Sequence, residues 1–188
     1  MAHLLLCRHG QDEDNAAGLL NGHRDRPLTA LGLEQASTVA KKIHSSVPNL
    51  DVVLCSPLQR AKCTAEIIAE ECGVPVIVYD ELIERDFGIL SGKRLSDIPK
   101  FGGDLLETEK VTYFLSADGA EGFDALYHRA KHAVLQIDTT FANKTVLLVC
   151  HGDIGKMILA VRRCIPWKEA LTAPYIDNTT LLDLRVEK

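Results

Sequence analysis

His3-Leu4-Leu5-Leu6-Cys7-Arg8-His9-Gly10 opens the chain on an apolar run that stops at a cation, an imidazole and a glycine. A short run of this kind bounded by a loop signal reads as a strand buried on both faces, as in the sheets of α/β proteins. Three further runs repeat it: Asp51-Val52-Val53-Leu54-Cys55, Val74 to Tyr79, and Thr145 to Cys150. Between them, apolar residues recur at three- and four-residue spacing over roughly 30–47 (Leu33, Ala36, Val39, Ala40, Ile43), 57–72 (Ala61, Ala65, Ile68, Ala69) and 122–138. That spacing predicts helices with one buried stripe. Strand and helix therefore alternate, and the expectation is an α/β fold: a three-layer α/β/α arrangement with a mainly parallel central sheet. Asn178 to Val186 reads as a last strand at a sheet edge. In such sheets ligands bind beyond the carboxyl ends of the strands, so the residues that follow them are where chemistry is sought.

With 188 residues and 46% hydrophobic content, the chain can build one well-formed core, and a single domain over 1–188 is expected. Residues 80–118 interrupt the alternation. They are rich in Gly, Asp, Glu and Lys, with breakers at Gly92, Pro99, Gly102 and Gly103, and predict a short helical or loop insertion, about 85–120, lying over the site. A net charge of −5 and a pI near 5.8 argue against nucleic acid or an anionic membrane as partner, because both demand a basic face. The run from Leu4 to Cys7 is too brief for a signal peptide or a spanning helix, so a cytoplasmic location is expected. Six cysteines without a C-x-x-C pair, mostly in or beside apolar runs, read as reduced, structural thiols.

Two strands deliver a histidine and a glycine to the same edge: His9-Gly10 after the first, His151-Gly152 after the fourth. Asp153 is expected to cap a helix beginning near Ile154. A third strand end, Ser56-Pro57-Leu58-Gln59-Arg60, places Arg60 in the first turn of a helix. A cation there opposes the helix dipole, so its position calls for an anionic partner. Other signals carry less. His128 and His132 stand four apart but lack the glutamate and third ligand of a metal site. Cys150 would need an arginine where Lys156 stands to form a cysteine-phosphatase loop. No phosphate-binding G-x-x-x-x-G-K-[ST] loop is present, and Gly102-Gly103 lacks the strand-turn-helix setting of a dinucleotide site.

These residues together resemble the histidine phosphatase superfamily, the group containing cofactor-dependent phosphoglycerate mutases and fructose-2,6-bisphosphatase. Arg8-His9-Gly10 is similar to its R-H-G signature and Asn15 to the asparagine of the loop that follows. Gly22 to Gly32 resembles G-x-x-D-x-P-L-T-x-x-G, and Ser56 to Ala61 resembles S-x-x-x-R-A. Leu82 to Gly88 resembles L-x-E-x-x-x-G, Gly119-Ala120-Glu121 with Arg129 a later G-E-S-type segment, Val149 to Gly152 the second histidine, and Asn178-Thr179-Thr180 the final strand. Gln11-Asp12 departs from the commoner Glu-Thr or Glu-Ser, and no tryptophan precedes Asn15.

The resemblance implies that His9 attacks phosphorus through one ring nitrogen while the other donates to a backbone carbonyl. It implies that Arg8, Arg60 and His151 converge on the phosphoryl oxygens, and that Glu84 is the general acid and base, with Glu81 or Asp86 as anionic neighbours raising its pKa. Asn15, Asn21, Gly22 and Gly152 are carried over as substrate contacts beside Arg8, Arg60 and His151. Neither metal nor cofactor is implied. The substrate expected is a small phosphorylated metabolite, hydrolysed through a phosphohistidine. Mutases of the family are generally longer, with more basic residues in the interval that here offers Lys93, Arg94, Lys100 and Lys110; mutase activity is the alternative, and a non-catalytic sensor of a phosphorylated ligand the second alternative.

Overall fold

The computed structural model describes residues 1–185. In chain order the elements are β1 (His3–Arg8), α1 (Glu13–Ala17), α2 (Ala30–Ser46), β2 (Val52–Cys55), α3 (Gln59–Cys72), β3 (Val76–Val78), α4 (Ile98–Phe101), β4 (Gly103–Glu107), β5 (Thr112–Ser116), α5 (Phe123–Thr140), β6 (Thr145–Cys150), α6 (Gly152–Arg163), α7 (Trp167–Thr172) and β7 (Leu181–Asp183). The main sheet runs β3-β2-β6-β1-β7, parallel except for β7, which lies antiparallel along the outer side of β1. Val186, the last residue of the expected final strand, lies outside the described residues.

Because successive strand residues point to opposite faces, the apolar runs feed two cores at once. Leu4, Leu6, Leu54, Val146 and Leu148 pack with α5 and α6, while Leu5, Cys7, Val53, Leu147 and Val149 pack with α2 and α3. Each such fully buried aliphatic side chain contributes roughly 1.5–3 kcal/mol of transfer free energy. In β1, β2 and β6 this double burial is why the runs lack polar alternation, and it gives the three layers the sequence predicts; β3, expected to be buried, is instead an edge strand with Ile77 and Val78 exposed. Cys7, Cys55 and Cys150 are buried free thiols, and burial pushes Cys7 up to about 12 and Cys55 up to about 11.

Two glycines fix the loop after β1. A Cβ on Gly10 would come within 2.4 Å of the Gly32 carbonyl oxygen, and one on Gly32 within 2.1 Å of the Gln11 carbonyl oxygen. The R-H-G loop and the start of α2 thus meet backbone to backbone, which only residues without side chains permit.

The insertion departs from the expected helices and loops by including an antiparallel hairpin, β4–β5, outside the main sheet. Most of β4 is exposed and it begins on glycine, so its sequence shows no apolar periodicity. The insertion leaves and rejoins the body at one neck. There Phe87 bridges Ala120, Glu121 N–H donates to the Asp86 carbonyl at 3.0 Å, and Ile89 N–H to that of Asp118 at 2.9 Å. At the carboxyl end of β6, α6 begins at Gly152, two residues before Ile154, but Asp153 does not cap it: its carboxylate pairs with Arg85 at 2.7 Å. The reason is that the free amides there are occupied by another carboxylate, that of Glu84.

Candidate active site

His9 and His151 follow the adjacent parallel strands β1 and β6, which sets their rings side by side with centroids 5.0 Å apart. Nδ1 of His9 lies 2.7 Å from the Gly10 carbonyl oxygen. A carbonyl can only accept, so the proton is on Nδ1 and the Nε2 lone pair faces outward. Arg60 Nε points between the rings, 3.3 Å from His9 Nε2 and 3.2 Å from His151 Nδ1. A guanidinium can only donate, which assigns the His151 proton to Nε2, 2.7 Å from the Ser56 hydroxyl. Burial, then Arg60, hold both imidazoles well below their ordinary range, so both are neutral with lone pairs aimed at one point.

Arg60 is wholly buried, and its two terminal nitrogens donate to the Arg24 and Gly22 carbonyls at 2.6 and 2.8 Å. The anionic partner its position calls for is Asp12, whose Oδ2 lies 3.2 Å from Nε. Asp12 also caps α1 through the Asn15 N–H and accepts from the Asn21 side chain, each at 2.7 Å. The unusual Gln11-Asp12 pair is thus built into the scaffold: Gln11 accepts from the Thr29 hydroxyl at 2.9 Å and Asp12 supplies the countercharge. Burial nonetheless pushes the Asp12 carboxyl up and the Arg60 guanidinium down, so desolvation outweighs their attraction.

Arg8 donates through one terminal nitrogen to the Tyr175 hydroxyl at 2.7 Å and the Ile176 carbonyl at 2.8 Å, while its Nε is buried without a partner among the described residues. Such a donor is costly unless an anion meets it.

Glu84 sits at the amino end of α6, accepting N–H bonds from Arg85 (2.8 Å), Asp153 (3.2 Å) and Ile154 (3.1 Å). Burial and then the charge of Asp153 raise its pKa against those amides. The anionic neighbour is therefore Asp153. Glu81 and Asp86, expected in that role, instead lie 3.9 Å from His132 and 3.7 Å from His23. Arg8, Asn15, Asn21, Glu84 and Gly152 border one cavity, whose lining does not include His9, Arg60 or His151; Gly22 serves through its carbonyl, as a prop for Arg60.

Several residues here escaped the sequence reading as site components. Asn178 donates to the His9 carbonyl at 2.9 Å and to Asn15 at 3.1 Å. Arg129 pairs with Glu121 at 2.7 Å and donates to the Glu81, Ile83 and Glu84 carbonyls, clamping the loop that carries Glu84. Both stand in segments of the resemblance, but sequence gave no hint that their contacts reach 169 and 45 residues along the chain. His128 and His132 are exposed on α5.

The α/β sheet thus carries two neutral imidazoles and two arginines at its carboxyl edge. The chain belongs to the histidine phosphatase superfamily, branch 1, whose family model matches residues 4–188. It is 30% identical over 159 residues to the adenosylcobalamin/alpha-ribazole phosphatase of Escherichia coli K12, covering 84% of this chain and 77% of that one. It is likewise 30% identical over 164 residues to the 2,3-bisphosphoglycerate-dependent phosphoglycerate mutase of Methylobacterium sp. strain 4-46, covering 84% and 79%. Its fold matches that of the Entamoeba histolytica phosphoserine phosphatase in complex with 3-phosphoglyceric acid, with a TM-score of 0.79 and 27% identity over 96% of this chain and 89% of that one.

Proposed function

We propose that the protein is a metal-independent phosphatase of a small phosphorylated metabolite, working through a phosphohistidine on His9. The observation that carries the reading is the Nε2 lone pair of His9, fixed by its Nδ1–H bond to Gly10 and aimed at the Arg60 guanidinium 3.3 Å away. An oxyanion entering there meets Arg60, with Arg8 on the border of the adjoining cavity. The Nε2 lone pair bonds to phosphorus as the P–O ester bond breaks, and the protonated Glu84 carboxyl gives its proton to the departing alkoxide. Glu84, now ionised, takes a proton from water whose oxygen attacks phosphorus. The Nε2–P bond then breaks, releasing phosphate and neutral His9. The arginines spread the charge on the transferring group, and His151, accepting from Arg60 Nε, holds that guanidinium in place.

The test is turnover of p-nitrophenyl phosphate and a metabolite panel in excess chelator, by the parent and by His9→Ala. Hydrolysis by the parent alone, with an acid-labile, alkali-stable phosphoryl label after denaturation during turnover, is expected. Equal inactivity of both with phosphate still bound would favour a sensor. Isomerisation of 3-phosphoglycerate dependent on a bisphosphate primer would favour a mutase.

A further inference from the structure

Beside the imidazole pair lies a cavity of about 250 Å³ that the alcohol half of a phosphate ester would enter. Leu19, Phe87, Leu95, Ile98, Tyr113 and Phe114 supply its apolar and aromatic lining, beside polar and charged residues. The charged groups along it are already committed. Arg85, 1% exposed, is paired with Asp153 at 2.7 Å and held 4.0 Å over the Phe114 ring and 4.1 Å over that of Phe123. Asp177 pairs with Lys110, and Arg8, assigned above to the phosphoryl group, donates to Tyr175 and the Ile176 carbonyl.

The insertion's basic residues are likewise committed. Lys93 rests its ammonium 4.2 Å over Phe101, Lys100 pairs with Asp97 at 3.5 Å, and neither these nor Arg94 and Lys110 border the cavity. What remains for a ligand is neutral: the Thr112 and Tyr113 hydroxyls and the Asn15 amide nitrogen, which have no hydrogen-bond partner among the described residues.

We infer that the substrate is a phosphate monoester whose alcohol portion is uncharged and presents a ring or other flat apolar face, with hydroxyl groups where it meets Asn15, Thr112 and Tyr113. This rests on the phosphatase reading above and narrows it. A carboxylate or second phosphate placed here would lose its water without gaining a cation. An apolar ring would replace water against the aromatic walls, and since a cavity of about 150 Å³ already accepts benzene, this one has room for a single substituted ring.

The discriminating experiment compares benzyl phosphate with 3-phosphoglycerate and phosphoserine, all primary alkyl esters, so that leaving-group chemistry is similar. The expected kcat/KM ratio favours benzyl phosphate by about ten- to hundredfold, the factor attached to one unsatisfied buried charge. Leu95→Lys, which adds a cation at the cavity wall, should narrow that ratio by raising kcat/KM for 3-phosphoglycerate. Equal or better turnover of the two acids by the parent would overturn this inference and leave the phosphatase reading standing. No hydrolysis of any ester and no phosphohistidine would remove both.

Discussion

Asp12 places a carboxylate at the one point where an incoming anion would also sit, because Arg60 Nε faces both. Removing one member of a buried pair strands the other, at a cost of about 3–5 kcal/mol. Asp12→Ala should therefore lower the melting temperature in buffer, and saturating phosphate should restore more of the loss than it adds to the parent, since the oxyanion replaces the missing countercharge. Differential scanning calorimetry with and without phosphate checks it; equal phosphate gains in both proteins would argue against this role. Glu84 makes a second prediction. Glu84→Gln keeps an acceptor for the amides of α6 but cannot give up a proton. Hydrolysis of alkyl phosphates should fall by about 10²–10⁴-fold, and that of p-nitrophenyl phosphate much less, because its leaving group needs no proton. Steady-state kinetics on the two ester classes decides it.

The elements hold the site through backbone contacts that side-chain patterns do not reveal. Arg129 on α5 grips three carbonyls of the loop before Glu84, so Arg129→Met should lower kcat by about 10²-fold, the cost of a small misplacement of a catalytic group. A shifted alkaline limb in the pH–rate profile, with KM little changed, would mark the effect as acting through Glu84, the general acid; an unaltered profile would not. The strands and three long helices were legible because β1, β2 and β6 are buried on both faces and α2, α3 and α5 carry continuous apolar stripes. The His-Gly steps were legible for the related reason that strand tips are where such runs stop. What stayed hidden depended on partners distant in the chain: the exposed β4, the five-residue α1 held by its Asp12 cap, and Asp153, whose place beside Arg85 could not be told from a cap by spacing.

Across the whole molecule the buried imidazoles couple folding to pH. His9 and His151 have native pKa values well below 6.5, so beneath about pH 6.5 the unfolded chain binds protons that the native state does not. Stability is then lost as pH falls through that window. Glu84, raised above its ordinary 4.5, works oppositely: its native state holds a proton the unfolded chain has released, and stability falls as pH rises above 4.5 toward the raised value. Asp12, also raised by burial, acts in the same sense as Glu84, so two histidines stand against two carboxyls. Removing one histidine should tilt that balance: between pH 7 and pH 5.5 the urea midpoint of the parent should lose more on acidification than that of His151→Gln; identical slopes would exclude the coupling. Among the described residues no helix is long and apolar enough to cross a membrane.

The narrow neck at Phe87 and Ala120 has a consequence for how such a chain can diversify. Since 88–119 departs and returns at this neck, and its other backbone bonds to the body run only from 92–95 to 18–20 among the described residues, the part between 96 and 117 can change in length and composition while the strand tips keep their positions. The stretch is an exchangeable cassette: transplanted from a relative at these two residues, it should bring that relative's substrate preference with it and leave the phosphoryl chemistry where it was.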